Sequence, residues 1–194
     1  MTMIAARERA RYDEVWSSID RYGDYAPGAD YVDAFRAMSG ARTGARLLDA
    51  GCGTGRGALA LCEAGYQVTL CDVTATGIVP AARHLPFVAT ALWSDLSLIG
   101  QQMGGCDYVY CCDVLEHVPI EFTMLTLARL FTLAEHGVFL SISLVPDAFG
   151  IWVGESLHET VQPFTWWRDR LREVGRLIEC RDLGQTGLYF ARAR

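Results

Sequence analysis

Four glycines at alternate positions, Gly51, Gly53, Gly55 and Gly57, interrupt the stretch LLDAGCGTGRGALALCEAGYQVTLCDV between an apolar run and a helical pattern. A strand that ends in such a loop and continues as a helix opens a βαβ unit, and that unit commits the chain to a parallel sheet. The remaining sequence follows suit. RLLDA (46–50), YQVTLCDV (66–73), PFVATALW (86–93), DYVYCCDV (107–114) and GVFLSISLV (137–145) read as strands, apolar almost throughout as a buried parallel sheet requires. Between them, GRGALALCEAG and IEFTMLTLARLFTLAEHG carry apolar residues at helical spacing, and each closes on a glycine suited to a C-cap. FTWWRDRLREVG reads as a last helix, and RLIECRD and GLYFARAR as a hairpin turning at Gly184 and Gln185 that adds an antiparallel pair. The expected fold class is α/β, a doubly wound sheet.

Residues 1–44 differ in character. YDEVWSSIDRYGDYAPGADYVDAF is rich in Tyr, Trp and Asp, with Pro27-Gly28 as a turn, and is expected to form one or two helices over the sheet. Such helices would be either a lid over the C-terminal strand edge, where open α/β sheets place ligands, or a cap that only buries core. The cost of exposing these aromatics favours the lid. The expected division is a cap or lid at 1–44 and an α/β domain at 45–194, together one compact unit, since 194 residues supply one developed core.

Composition removes several classes of chemistry. The chain has no lysine, which excludes Schiff-base catalysis, and no asparagine, which excludes N-glycosylation and Asn-dependent motifs. Its seven cysteines contain no C-x-x-C pair and read as buried free thiols rather than a structural zinc site. A formal charge of −6 disfavours nucleic acid as a partner. Two local arginine patches, Arg7/Arg9/Arg11 and Arg168/Arg172/Arg176, read first as solvated surface. No apolar run is long enough for a bilayer, and charges interrupt the N-terminus where a signal peptide needs an apolar core; the expectation is a cytoplasmic monomer or homodimer with no membrane partner.

The glycine loop suits either a dinucleotide, by its pyrophosphate, or S-adenosylmethionine, by its carboxylate. Asp49, just before the first glycine, would repel a pyrophosphate but could face an amino group. Asp72, closing the second strand, could accept both ribose hydroxyls, which suits either cofactor. CCDVLEHVP at the end of strand four has no expected role in a dehydrogenase. LLDAGCGTG, Asp72 and DVLEHVP, in this order and spacing, resemble the class I S-adenosylmethionine-dependent methyltransferases. The resemblance implies a Rossmann-like seven-stranded sheet with the last strand antiparallel and helices on both faces. It implies S-adenosylmethionine as cofactor and S-adenosylhomocysteine as product. It also implies a binding set of Gly51, Cys52, Gly53, Thr54, Gly55, Asp72, Val73 and Asp113, with Asp49 at the amino-acid part and Trp93 flanking adenine. A core tryptophan is the other reading of Trp93, and Asp95 is a weaker candidate beside it.

Methyl transfer from a sulfonium is an in-line displacement that needs an aligned nucleophile and a proton acceptor. Asp113, Glu116 and His117 stand at helical spacing where strand four turns, which would set them on one face with Val114, Leu115 and Val118 on the other. With His158 ahead of the aromatic helix, the pattern partly resembles metal-dependent small-RNA terminal-ribose methyltransferases. That resemblance implies Asp113, Glu116, His117 and His158 as ligands of Mn2+, Fe2+ or Mg2+, although the family has Glu where this chain has Asp113. Without a metal, His117 or His158 would act as general base, as in small-molecule O-methyltransferases with the same DVLEHV signature. Trp166, Trp167 and Tyr25 are candidate substrate contacts, with one of the two tryptophans expected in the pocket. His84 and His136 receive no role. The expected function is methyl transfer to an oxygen, less readily a nitrogen, of a small molecule or nucleotide. The alternatives are the metal-dependent RNA-terminal reaction and a non-catalytic cofactor-binding sensor or partner subunit.

Overall fold

The computed structural model describes residues 3–18, 26–94, 96, 99–100, 104–150 and 154–194. Seven strands, β1 (Arg46–Ala50), β2 (Gln67–Asp72), β3 (Phe87–Ala89), β4 (Cys106–Cys112), β5 (Ala134–Ser143), β6 (Arg176–Asp182) and β7 (Thr186–Arg192), form one sheet in the order β3-β2-β1-β4-β5-β7-β6. The pairs among β1 to β5 are parallel, and β7 is antiparallel to both β5 and β6. The hairpin therefore inserts its second strand beside β5 and leaves its first at the edge. The sequence reversal between β1 and β4 opens a crevice at their carboxyl ends.

Side-chain alternation sorts the two faces. Leu48, Val109 and Leu140 point to a core closed by α5 (Ile120–Leu133) and α6 (Phe164–Val174), whereas Leu47, Tyr108, Tyr110 and Phe139 point to the opposite core. The second core is covered by α3 (Val32–Ser39) and α4 (Arg56–Glu63). Phe35 of α3 is fully buried there, edge-on to Tyr108 and Tyr110 at 5.6 and 5.5 Å between ring centroids. Part of the first 44 residues is thus core. The other part, α1 (Met3–Ser18), lies over the crevice at the strand ends.

Several local expectations change. Pro27 is not in a turn but opens a short helix, α2 (Pro27–Asp30), where its missing N–H costs nothing. Gly65 follows α4 as read, its N–H reaching the Cys62 carbonyl at 2.9 Å. Gly137 does not cap α5; the chain passes directly into β5, and a Cβ at Gly137 would lie 2.7 Å from the Ala191 carbonyl of β7. Glycine is needed there by strand packing. The third strand keeps only Phe87–Ala89 of the expected run. All seven cysteines are free thiols, and among the described residues no helix is long and apolar enough to cross a membrane.

Candidate active site

Strand β1 ends at Ala50 and the loop turns back on itself at once: the Gly51 and Cys52 N–H groups both donate to the Cys71 carbonyl, at 2.7 and 3.0 Å. Gly51 has φ 80°, and a Cβ there would sit 2.3 Å from the Val114 side chain. Only glycine satisfies both conditions. The Asp72 carboxylate organises the loop, Oδ2 accepting from the Gly53 N–H at 2.8 Å and Oδ1 from the Val73 N–H at 2.7 Å. Burial raises Asp72 to about 6 despite these bonds. Asp49, one strand away, is raised to about 7, first by burial and then by the Asp72 charge. Two carboxylates thus face one pocket, and the causes of their shifts include no chain cation.

The pocket is bounded below by Gly51, Cys52, Gly53 and Thr54, at one side by Asp72, Val73 and Trp93, and at the other by Cys112, Asp113 and His117. Trp93 stacks on Phe122, with centroids 5.8 Å apart and planes 13° from parallel. It serves as pocket wall and core contact together. Gly55 is absent from the lining; it is the N-cap of α4, where a Cβ would meet that of Ala82 at 2.7 Å, so it builds the turn rather than the wall.

The segment after β4 does not form the α-helical face that the spacing suggests. Asp113 takes a left-handed conformation, φ 59°, and Leu115–His117 is a single 3-10 turn. Val114 and Val118 therefore line the pocket beside Asp113 and His117, while Leu115 and Glu116 turn into the core. His117 Nδ1 donates to the Leu157 carbonyl at 2.9 Å, and His158 Nδ1 to the Val145 carbonyl at 2.7 Å. Each ring is thereby fixed in the tautomer that leaves Nε2 as an acceptor. The rings stand 4.6 Å apart at 89°. Burial, reinforced by His158, lowers His117 to about 3, so its ring is neutral.

Glu116 is fully buried, with Oε1 accepting from the Ser143 N–H at 2.6 Å and no donor reaching Oε2. Burial and the neighbouring Asp113 carboxyl push it well above the ordinary carboxylate range. Ligand atoms of Glu116, His117 and His158 lie within 4.8 Å of one another. Asp113 is not part of that convergence, which reduces the expected four-ligand set to three.

Other expectations fail on packing. Trp167 is fully buried in the core shared with α5, and Trp166 packs edge-on against it at 4.9 Å; neither lines the pocket. Aromatic residues at the start of an amphipathic helix point where the sheet is, and here that is away from the crevice. Tyr25 and Asp95 lie outside the described residues. The arginine patches are solvated surface as read, Arg168 and Arg172 pairing with the exposed Asp169, except at Arg11, which is buried against acids. The sequence reading missed Glu8, Tyr12 and Trp16, which α1 lays over the pocket. Their i, i+4 spacing was the available signal.

A family model described as a methyltransferase domain matches residues 21–186. The ubiquinone biosynthesis O-methyltransferase of Xanthomonas campestris is 34% identical over 131 residues, 64% of this chain and 52% of its own length. The magnesium-protoporphyrin O-methyltransferase of Synechocystis is 31% identical over 130 residues, 64% and 54% of the two chains. The chain thus spans about half the length of the curated relatives it matches. Among solved structures, magnesium protoporphyrin IX methyltransferase from Synechocystis with bound SAH aligns at a TM-score of 0.63 and 22% identity, over 97% of this chain and 94% of that one. Burkholderia thailandensis 1,6-didemethyltoxoflavin-N1-methyltransferase, with bound 1,6-didemethyltoxoflavin and S-adenosylhomocysteine, aligns at 0.72 and 20% identity over 98% and 88%. At these identities the solved structures establish a shared fold.

Proposed function

Because the chain belongs to the methyltransferase-domain family, of class I Rossmann-like architecture, we propose that it binds S-adenosylmethionine in this pocket and transfers the methyl to an oxygen of a small molecule. The observation that carries the reading is the buried pair Asp49 and Asp72 beside a neutral His117. A ligand with an ammonium, a sulfonium and ribose hydroxyls supplies what the two carboxylates lack, whereas a pyrophosphate would add like charge. O-methyltransferase relatives and the oxygen-compatible base support the acceptor class. Residues 1–44 complete a single functional unit, α3 as core and α1 as pocket cover.

When bound, the cofactor would supply a methyl activated for in-line displacement by the acceptor oxygen, the methyl–oxygen bond forming as the methyl–sulfur bond breaks, while Asp49 and Asp72 would hold its ammonium and ribose hydroxyls. The hydroxyl proton passes to His117 Nε2 and then to solvent. Burial makes an imidazolium costly in the free pocket, but the sulfonium charge disappears as the imidazolium forms, so the pocket gains no net charge.

The convergence of Glu116, His117 and His158 favours a second reading. Two Nε2 lone pairs and an undonated carboxylate oxygen fit Mn2+, Fe2+ or Mg2+, and backbone carbonyls on both Nδ1 atoms are the support that metal-binding histidines use. A bound ion would lower the pKa of an acceptor hydroxyl. One assay tests both readings: methyl-labelled cofactor is offered to phenols, catechols, amines and nucleosides, with manganese or with EDTA. The base reading predicts label on oxygen that persists in EDTA, and strict dependence on manganese would replace it with the metal reading. Label only on amines would overturn the oxygen assignment, and cofactor binding without any turnover would indicate a sensor.

A pH dependence follows from Asp49. The free pocket holds it protonated below about 7, and the ligand ammonium needs it ionised. Affinity for S-adenosylhomocysteine should therefore rise about tenfold per pH unit on approaching 7 and level off above it. Between the unfolded value of 3.8 and about 7 the native state binds more protons, so the free protein loses stability as pH rises through that window. Calorimetry from pH 6.5 to 8.5, above the Asp72 value of about 6, should show the slope for the native chain and a flat, weak profile for Asp49→Asn.

A further inference from the structure

The helix over the pocket is not docked as an amphipathic helix would be. Its four buried residues, Ala5, Glu8, Arg11 and Val15, form one stripe, and two of the four are charged. Burial of apolar area alone would not hold such a face, so specific polar contacts must.

Two sets of contacts do so, on opposite sides of the pocket. On one side Asp13 accepts from the Thr74 and Thr76 hydroxyls in the loop after β2. On the other, Arg11 pairs with Glu159 at 2.7 Å and Glu155 at 2.9 Å, and donates to the Ser156 carbonyl. Its side chain is only 6% exposed, while the Glu155 and Glu159 side chains are 45% and 31% exposed, so the pairs are part-buried. Between the two anchors Trp16 lies on the glycine loop, 3.3 Å from where a Gly53 Cβ would stand. In this position α1 covers one side of the pocket through Glu8, Tyr12 and Trp16.

The segment Arg11 grips is the one that places both histidines. The Leu157 carbonyl holds His117 Nδ1, and His158 is the next residue. The Glu159 and Thr160 N–H groups both donate to the Glu116 carbonyl at 2.8 Å, and the Thr160 hydroxyl donates to that of Val118. Lifting α1 removes the guanidinium from Glu155, Ser156 and Glu159 together, and leaves the strap to Asp147, which accepts from the Leu157 and His158 N–H groups, and to the Glu116 carbonyl. We propose that Arg11 is a positioning residue: it makes closure of α1 over the cofactor and placement of His117 and His158 a single event. The enzyme would then be competent only when loaded. This rests on the proposed cofactor, but the coupling itself belongs to Arg11 and can be read separately.

The test uses the full chain with S-adenosylhomocysteine, following tryptophan fluorescence for release and amide hydrogen exchange for residues 154–160. In Arg11→Gln the release rate should increase about tenfold or more, because truncating one partner of a part-buried ion pair acts on dissociation. Exchange at Leu157, His158, Glu159 and Thr160 should rise in parallel. Asp13→Ala, which removes the acceptor of both threonine hydroxyls and so loosens the opposite anchor, should speed release and raise exchange at 154–160 to the same fractional extent. Faster release with unchanged exchange at 154–160 would overturn the coupling, and an unchanged release rate would overturn the latch. Glu159→Gln makes the same test from the strap side if Arg11→Gln does not fold. If the native chain binds no S-adenosylhomocysteine, the cofactor assignment fails alone; exchange at 154–160 in the free native chain against Arg11→Gln still decides the latch, equal rates refuting it.

Discussion

Asp72→Ala should leave a folded chain whose affinity for S-adenosylhomocysteine has fallen at least about a hundredfold, a loss near 3 kcal/mol. Two effects add. The carboxylate is proposed to take the ribose hydroxyls, a charge-assisted pair of bonds that alanine cannot make. It also accepts the Gly53 and Val73 N–H groups at 2.8 and 2.7 Å, and each donor left unpaired in a buried loop costs about 1–3 kcal/mol. The glycine loop would therefore relax as well as lose its ligand contact. Asp72→Asn separates the effects: its amide oxygen can still serve one loop N–H while the charge is gone, so its affinity should fall between the two. Calorimetry and a thermal melt of the three proteins check the order, and binding within about threefold of native in Asp72→Ala would refute the assignment.

His117→Ala should lower single-turnover methyl transfer by about 10²- to 10⁴-fold while changing cofactor affinity only severalfold. The ring faces the pocket, held neutral by burial and oriented by the Leu157 carbonyl. His158 stands behind it, outside the pocket lining, so His158→Ala should cost much less if His117 works as a base. Equal, large losses in both variants, together with one in Glu116→Gln, would instead mark a shared metal. Because His117 is lowered to about 3, its protonation cannot produce an acid limb between pH 5 and 8; in Asp49→Asn a limb near pH 7 should move down to about 6, where Asp72 titrates.

Much of this site was legible from local pattern. A glycine loop between strand and helix, an aspartate before it and another at the end of the next strand are fixed by neighbours a few residues away, and Asp49, Gly51, Gly53 and Asp72 all meet at the crevice. What escaped depends on geometry that spacing does not encode. Asp113, Glu116 and His117 suggest one α-helical face, but the 3-10 turn sends Glu116 to the core and leaves Asp113 outside the donor cluster. Trp166 and Trp167 cannot be assigned to core or pocket until the helix is docked. Arg11 read as a member of a solvated patch because its partner Glu159 lies 148 positions away. Contacts of that range leave no periodic trace, and they are what place α1.

Occupation of this pocket by S-adenosylmethionine is tested by calorimetric titration of the native chain with S-adenosylhomocysteine at pH 8, with NAD as the contrast. The predicted result is one saturable site per chain for S-adenosylhomocysteine and no heat for NAD. Binding of NAD with none of S-adenosylhomocysteine would contradict the reading of Asp49 and Asp72 as partners of a cationic cofactor.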